Sequence, residues 1–422
     1  MRRYESYKDS GVEWLGEVPS HWESFPLFVQ AKISSITNHI DKELLSVYLD
    51  RGVVRFSDVD EKRTNVTSLD LSKYQLVRKG NLVLNNQQAW RGSVGVSSYE
   101  GIVSPAYLIL ELSNKFDPHY ANYLFRNSSM VSHYLIASKG VGTIQRNLYW
   151  GNLRRTPIFI PPLSEQQKIS QFLDDKTSKI DQAVELAEKQ IALLKEHKQI
   201  LIQNAVTRGL NSDVLLKDSG VEWQGDLPSH WDVQRSKFIF KKIERKVNEE
   251  DQIVTCFRDG QVTLRANRRT EGFTNALKEH GYQGIRKGDL VIHAMDAFAG
   301  AIGISDSDGK ATPVYSVCLP HDKQKIDVYF YAYYLRNLAL SGFISSLAKG
   351  IRERSTDFRY ADFAELLLPI PPYLEQQKIA DYLDKQTAKI DQAIALKTAH
   401  IEKLKEYKSV LINDVVTGKV RV

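Results

Sequence analysis

Cysteine is nearly missing from this 422-residue sequence: only Cys256 and Cys318 occur, both in the second half. Their counterparts in the first half are not cysteine, so neither a disulfide framework nor a zinc framework is expected, and a reducing cytoplasm is the default compartment. No run of about 18 apolar residues occurs, so nothing reads as a membrane span. The opening Met-Arg-Arg-Tyr-Glu-Ser-Tyr is polar and lacks the apolar segment of a secretory signal.

Catalytic signatures are missing too. There is no Gly-x-x-x-x-Gly-Lys-Ser/Thr loop, no Gly-x-Gly-x-x-Gly after a strand, no His-Glu-x-x-His and no Gly-x-Ser-x-Gly. The ten histidines are scattered, and no acidic cluster recurs in both halves with metal-ligand spacing. The sequence therefore offers no catalytic and no metal-binding residue.

What it does contain, it contains twice. Lys8-Asp-Ser-Gly-Val-Glu-Trp14 through Pro19-Ser-His21-Trp22 returns as Lys217-Asp-Ser-Gly-Val-Glu-Trp223 through Pro228-Ser-His230-Trp231. Ile160-Pro-Pro-Leu-Ser-Glu-Gln-Gln-Lys-Ile169 returns as Ile370-Pro-Pro-Tyr-Leu-Glu-Gln-Gln-Lys-Ile379. Two near-equal halves imply approximate internal two-fold symmetry and suit a partner with similar symmetry. Packing of each His-Trp against the base of a helix is the expected role of His21 and His230.

Charge separates the repeated parts from the variable ones. Residues 24–157 hold 16 Lys and Arg against 10 Asp and Glu, and 233–368 hold 21 against 17. The remainder holds 20 against 24, so the whole net charge of +6 derives from the variable segments. That partition points to polyanion contact by the variable parts and protein contact by the repeated ones.

After each Pro-Pro the apolar residues fall at heptad spacing. The first seam runs through Leu173, Ile180, Val184, Ile191, Leu194 and Leu201, the second through Leu383, Ile390, Ile394, Ile401, Leu404 and Leu411. Ser164 with Gln167 reads as a capping box that Leu374 removes from the second copy, and Gly209 and Gly418 mark the ends. About 44 residues of helix span about 65 Å. The simplest burial for two such seams is an intramolecular antiparallel coiled coil; the alternative pairs each helix with a separate protein.

The variable segments read as mixed α/β, with short strands at Leu82-Val-Leu, Ile109-Leu-Glu-Leu and Leu290-Val-Ile-His. Matching helices begin at Tyr120 and Phe330. A polar, glycine-bounded loop follows a strand in each: Asn85 to Gly92, with Gln87, Gln88 and Arg91, and His293 to Gly300, with Asp296. Amides pair bidentately with adenine and arginine with guanine, while aspartate accepts from the cytosine amino group. A second polar loop holds Gln145, Arg146 and Asn147, with Arg352 and Arg354 in its counterpart. Arg154, Arg155 and Arg359 suit phosphate contact. Equivalent loops carrying different residues are what one scaffold reading two sequences would look like.

These blocks together resemble the specificity subunits of type I restriction–modification systems. The match is carried by Gly16-Glu-Val-Pro-Ser-His-Trp22, Gly225-Asp-Leu-Pro-Ser-His-Trp231, the two Pro-Pro…Glu-Gln-Gln-Lys-Ile blocks, and Lys-Ile-Asp-Gln-Ala at 179–183 and 389–393. The resemblance covers the whole chain. It implies an α+β fold: two mixed α/β target recognition domains separated by two long helices in an antiparallel coiled coil. The expected segments are 1–23, a recognition domain at 24–160, a helical spacer region at 161–232, a second recognition domain at 233–370 and a second helical region at 371–422. Each recognition domain would read half of a bipartite target in double-stranded DNA. The helical regions would set the spacer and dock two methyltransferase subunits, to which restriction subunits add. S-adenosylmethionine, ATP and Mg²⁺ would serve those partners, with no cofactor in this chain.

Because the two recognition segments differ, the expected target is asymmetric with an unread spacer. The rival readings are a coiled-coil adaptor without DNA contact and a self-contained methyltransferase or nuclease. The missing Asn/Asp-Pro-Pro-Tyr/Phe motif argues against a methyltransferase.

Overall fold

The computed structural model describes residues 2–12, 15–59, 70–141, 145–268, 271, 280–347 and 357–422, with Val141 and Gln145 described in backbone only. The chain forms two compact units, Met1–Ala187 with Thr398–Val422, and Glu188–Lys397. The same plan builds both.

In the first unit, β1 (Ala31–Ser34), β2 (Leu82–Asn85), β3 (Val94–Val96) and β4 (Tyr107–Leu112) form an antiparallel sheet in the order β1-β4-β2-β3. In the second, β5 (Phe240–Lys242), β6 (Leu290–His293), β7 (Ile302–Ile304) and β8 (Tyr315–Pro320) repeat it as β5-β8-β6-β7. Both sheets are covered on two faces, which is why β2 and β6 read as unbroken apolar runs rather than alternating ones. Leu82 and Leu84 join the core beneath the helix Pro118–Arg126, while Val83 points into a second core beneath the hairpin of Leu45–Tyr48 and Gly52–Arg55. Leu290 and Ile292 divide from Val291 in the same way.

The helix Pro118–Arg126 starts where Asp117 accepts from the Tyr120 amide, and Val328–Leu340 starts on Asp327 likewise. Both cysteines belong to the apolar interior of the second unit; burial pushes the Cys318 thiol up to about 12 and the Cys256 thiol up as well. Neither is therefore a reactive thiolate.

Two helices dominate the repeated regions: α1 (Leu163–Arg208, 46 residues) and α2 (Tyr373–Val416, 44 residues). They end at Gly209 and Gly418, whose φ of 75° and 78° lie where a side chain is disfavoured. The capping box is not formed. The Pro162 carbonyl already accepts from the Glu165 and Gln166 amides, so Ser164 lies inside the first turn. Pro372 does the same for Glu375 and Gln376, so Leu374 costs the second helix no cap. A proline fits here because its carbonyl can accept the first helical bonds like any other and its missing N–H is not needed at a helix start.

All twelve seam residues are buried or half-buried: Leu173, Ile180, Leu383, Ile390, Ile401 and Leu411 fully, Val184, Ile191, Leu194, Leu201, Ile394 and Leu404 partly. In the first unit Ile169, Leu173 and Ile180 pack with Leu411 and Val415, and Lys408 pairs with Asp181 at 2.6 Å. In the second Leu201 and Ala205 pack with Ile379 and Leu383, and Lys198 pairs with Asp391 at 2.6 Å. In each unit the two helix portions therefore run antiparallel, and the seams are satisfied within the chain. Among the described residues no helix is long and apolar enough to cross a membrane.

Candidate nucleic-acid interface

The polar loops that follow β2 and β6 share one backbone. In the first, the Gln88 amide donates to the Asn85 carbonyl, Ala89–Arg91 makes a short 3-10 turn, and Gly92 closes it at φ 101°. In the second, the Asp296 amide donates to the His293 carbonyl, Ala297–Ala299 makes the turn, and Gly300 closes it at φ 91°. Buried Ala89 and Ala297 anchor the turns. The side chains around them share almost nothing, so the backbone is a common mount for different surfaces.

In the first unit Gln87, Gln88 and Arg91 are exposed on this mount. Trp90 is fixed by its indole N–H, which donates to the Gln87 carbonyl at 2.9 Å. The Arg91 guanidinium lies 4.8 Å from its ring centroid and that of Arg146 5.9 Å. Arg146 comes from what the sequence suggested was a loop. Gln145–Leu148 is instead a strand, paired antiparallel with Ser138–Val141. Buried Leu148 pins the hairpin, Arg146 shares its face by alternation, and Asn147 is exposed. Amide, guanidinium and indole groups thus converge on one polar surface.

In the second unit the His293 ring packs at a 55° tilt against Tyr315, with ring centroids 4.5 Å apart, and its Nδ1 accepts from the Asp296 amide at 3.1 Å. Burial holds the imidazole below its ordinary pKa, outweighing the opposite pull of the Asp296 carboxylate. Asp296 Oδ1 in turn accepts from Arg258, at 3.2 Å from Nε and 2.7 Å from Nη2. Arg258 was not among the residues expected from the sequence. It sits in the turn of the hairpin Val254–Cys256/Val262–Leu264, about 40 residues before its partner, and no local pattern marks it.

The arginines proposed for phosphate contact are on the surface. Arg154 and Arg155 are exposed, with Arg154 5.9 Å from the Phe28 ring centroid. Arg359 is exposed, pairs with Asp357, and begins a short helix at Tyr360. It also borders a cleft of about 740 Å³ with Lys242, Met295 and Tyr360, beside the His293–Asp296 turn. Arg352 and Arg354 lie outside the described residues, as does the tip joining the strands of the first hairpin.

Sequence reasoning missed how the recognition domains are fastened to the helices. Gln166 is fully buried; its Nε2 donates to the Lys115 and Pro161 carbonyls, both at 2.8 Å, and its Oε1 accepts from the Asp117 amide at 2.8 Å. Gln376 makes the same three bonds to Lys325, Pro371 and Asp327. The Tyr123 hydroxyl donates to Asp174 and that of Tyr333 to Asp384, each at 2.7 Å; burial first, then that carboxylate, pushes the Tyr123 phenol up to about 12. The repeated histidines behave as expected, with His21 2.7 Å from Glu165 and His230 2.8 Å from Glu375. The helices also leave an apolar row uncovered: Leu186, Leu193 and Ile200 on α1 recur every seven residues and are exposed, as are Leu396 and Val410 on α2.

Comparison with known proteins places these features in a group. The family model described as the type I restriction modification DNA specificity domain matches residues 36–196 and 232–406. Two proteins of Methanocaldococcus jannaschii are similar over nearly their whole lengths. The type I restriction enzyme MjaVIII specificity subunit is 25% identical, over 96% of this chain and 94% of its own. The provisionally named MjaX specificity subunit is 24% identical, over 97% and 96%. In fold, the chain is similar to a component of a type I R-M system solved in a study of its assembly and conformational transition, with a TM-score of 0.68, 17% identity and coverage of 96% and 99%. It is also similar to the HsdS subunit from Thermoanaerobacter tengcongensis, with a TM-score of 0.55, 17% identity and coverage of 96% and 98%.

Proposed function

Since the chain belongs to the family of type I restriction–modification DNA specificity subunits and carries two copies of its domain, we propose that each copy reads one half of an asymmetric, bipartite DNA target. The observation that carries this reading is the pair of equivalent turns after β2 and β6. They have the same backbone and the same glycine closure, and they present Gln87, Gln88 and Arg91 in one case and His293 and Asp296 in the other. A scaffold that keeps its main chain and exchanges its side chains is suited to direct readout of two different half-sites. Arg154, Arg155 and Arg359 fit a phosphate-positioning role around these readers.

The chain recognises rather than catalyses. Methylation and cleavage fall to partners: two adenine-specific methyltransferase subunits, using S-adenosylmethionine, and restriction subunits, using ATP and Mg²⁺. The exposed heptad row of α1 is the natural seat for methyltransferase helices, because apolar residues at that spacing pack well against another helix. The continuous helices would act as the spacer between half-sites.

Long-read sequencing of DNA methylated by the chain with its methyltransferase partner tests the proposal. The expected motif has two different half-sites and an unread gap. A symmetric or continuous motif contradicts it. A complex that binds duplex DNA without a steep salt dependence would instead favour the adaptor reading.

A further inference from the structure

The Arg258–Asp296 pair of the second unit goes beyond a surface ion pair. The carboxylate takes two donors from one edge of the guanidinium, Nε at 3.2 Å and Nη2 at 2.7 Å. That edge contact leaves the distal end, one N–H of Nη1 beside one of Nη2, directed away from the partner. The Phe298 ring, 5.9 Å from Arg258 Cζ, limits the plane from another side. Yet the Arg258 side chain is 66% exposed. Arginine on a surface ordinarily sweeps many rotamers; this one is fixed in plane while its free end faces solvent.

We propose that Arg258, oriented by Asp296, reads a guanine in the half-site of the second recognition domain. The two distal N–H groups form the bidentate donor pair that matches guanine O6 and N7 in the major groove. A phosphate contact requires charge but not a fixed plane, whereas base readout requires the plane. Asp296 is therefore a positioning residue. Its backbone is seated by the turn: the Asp296 amide donates to His293 Nδ1, and the His293 ring packs at a tilt against Tyr315. The pair is also private to one domain. Aligned on their strand pairs, with Leu45 opposite Arg55 matching Val254 opposite Leu264, the two hairpins place Leu49 where Arg258 stands. Gln88 occupies the place of Asp296. Groups that hold the scaffold, such as Gln166 and Gln376, recur in both domains; this pair does not, as befits a specificity element.

The assignment rests on the proposed DNA-reading function, and one experiment separates the two. The chain and its methyltransferase partner are purified as a complex. Its motif is determined by methylation of a random duplex library, for the natural chain and for R258K, R258A and D296N. The natural complex should require a guanine at a position in one half-site. R258K, which keeps the charge but loses the planar fork, should relax that position by about ten- to hundredfold with the other half-site unchanged. D296N should relax the same position less. If R258A does not fold, R258K and D296N carry the test, with thermal melting as the check on folding. Relaxation confined to one guanine supports the assignment. A natural motif left intact by R258K and D296N overturns it. So does a uniform weakening on all duplexes with a salt slope lowered by about one, the mark of a phosphate contact. A natural complex with no sequence preference overturns the DNA-reading function and this assignment with it.

Discussion

Trp90 illustrates how much of this surface is decided by single side chains. Its ring fixes two guanidinium groups, Arg91 and Arg146, that approach from different segments. Each such contact contributes about 0.5–1 kcal/mol at an exposed site. Trp90→Ala should loosen both arginines and lower discrimination in the first half-site by about tenfold, leaving the second unchanged, as read from the methylation motif. His293 gives a pH effect. Burial lowers its pKa in the folded chain, so the unfolded chain binds the extra proton first. Its contribution to stability is complete above about 6.5, the ordinary histidine value, and is lost as pH falls below it. Melting temperature measured from pH 7.5 to 5 should fall less steeply for His293→Gln than for the natural chain. Gln87, Gln88, Arg91 and His293 were legible in the sequence because they lie in recurrent glycine-bounded turns. Arg258 was not, since its importance arises from a partner brought close only by the fold.

At the scale of elements, the helices were legible and their fastening was not. Heptad periodicity locates α1 and α2 and their seams without any structure. Gln166 and Gln376 have backbone partners in loops some 50 residues away, and a buried amide that clamps distant carbonyls leaves no periodic trace. Gln166→Ala should leave three backbone groups without their partner, one of them buried, and cost about 2–4 kcal/mol, whereas Ser164→Ala, outside any cap, should stay within about 0.5 kcal/mol; chemical denaturation distinguishes them. The strand Gln145–Leu148 was misjudged as a loop because its polar residues outnumber its one buried anchor, Leu148.

At the scale of the whole molecule, repetition with divergence was the clearest message of the sequence, and the doubled sheet order bears it out. Replacing residues 24–157 with another segment of the same kind should change one half-site of the methylated motif and leave the other intact. Inserting about four residues into the 180–200 stretch, matched by an insertion in α2 to preserve the seam, adds about 6 Å of helix. It should lengthen the tolerated gap by about two base pairs with both half-sites retained, as read by the same sequencing.

The first unit draws on both ends of the chain, while the second, Glu188–Lys397, is one uninterrupted stretch. Trp22 and Leu173 share their core with Leu411, Val415 and Val416, and the Arg421 amide donates to the Arg2 carbonyl. During synthesis the ribosome therefore delivers every residue of the second unit before the first has its last helical wall. The domain translated earliest can be completed only when residues 398–422 arrive, and until then the core around Trp22 lacks one of its walls.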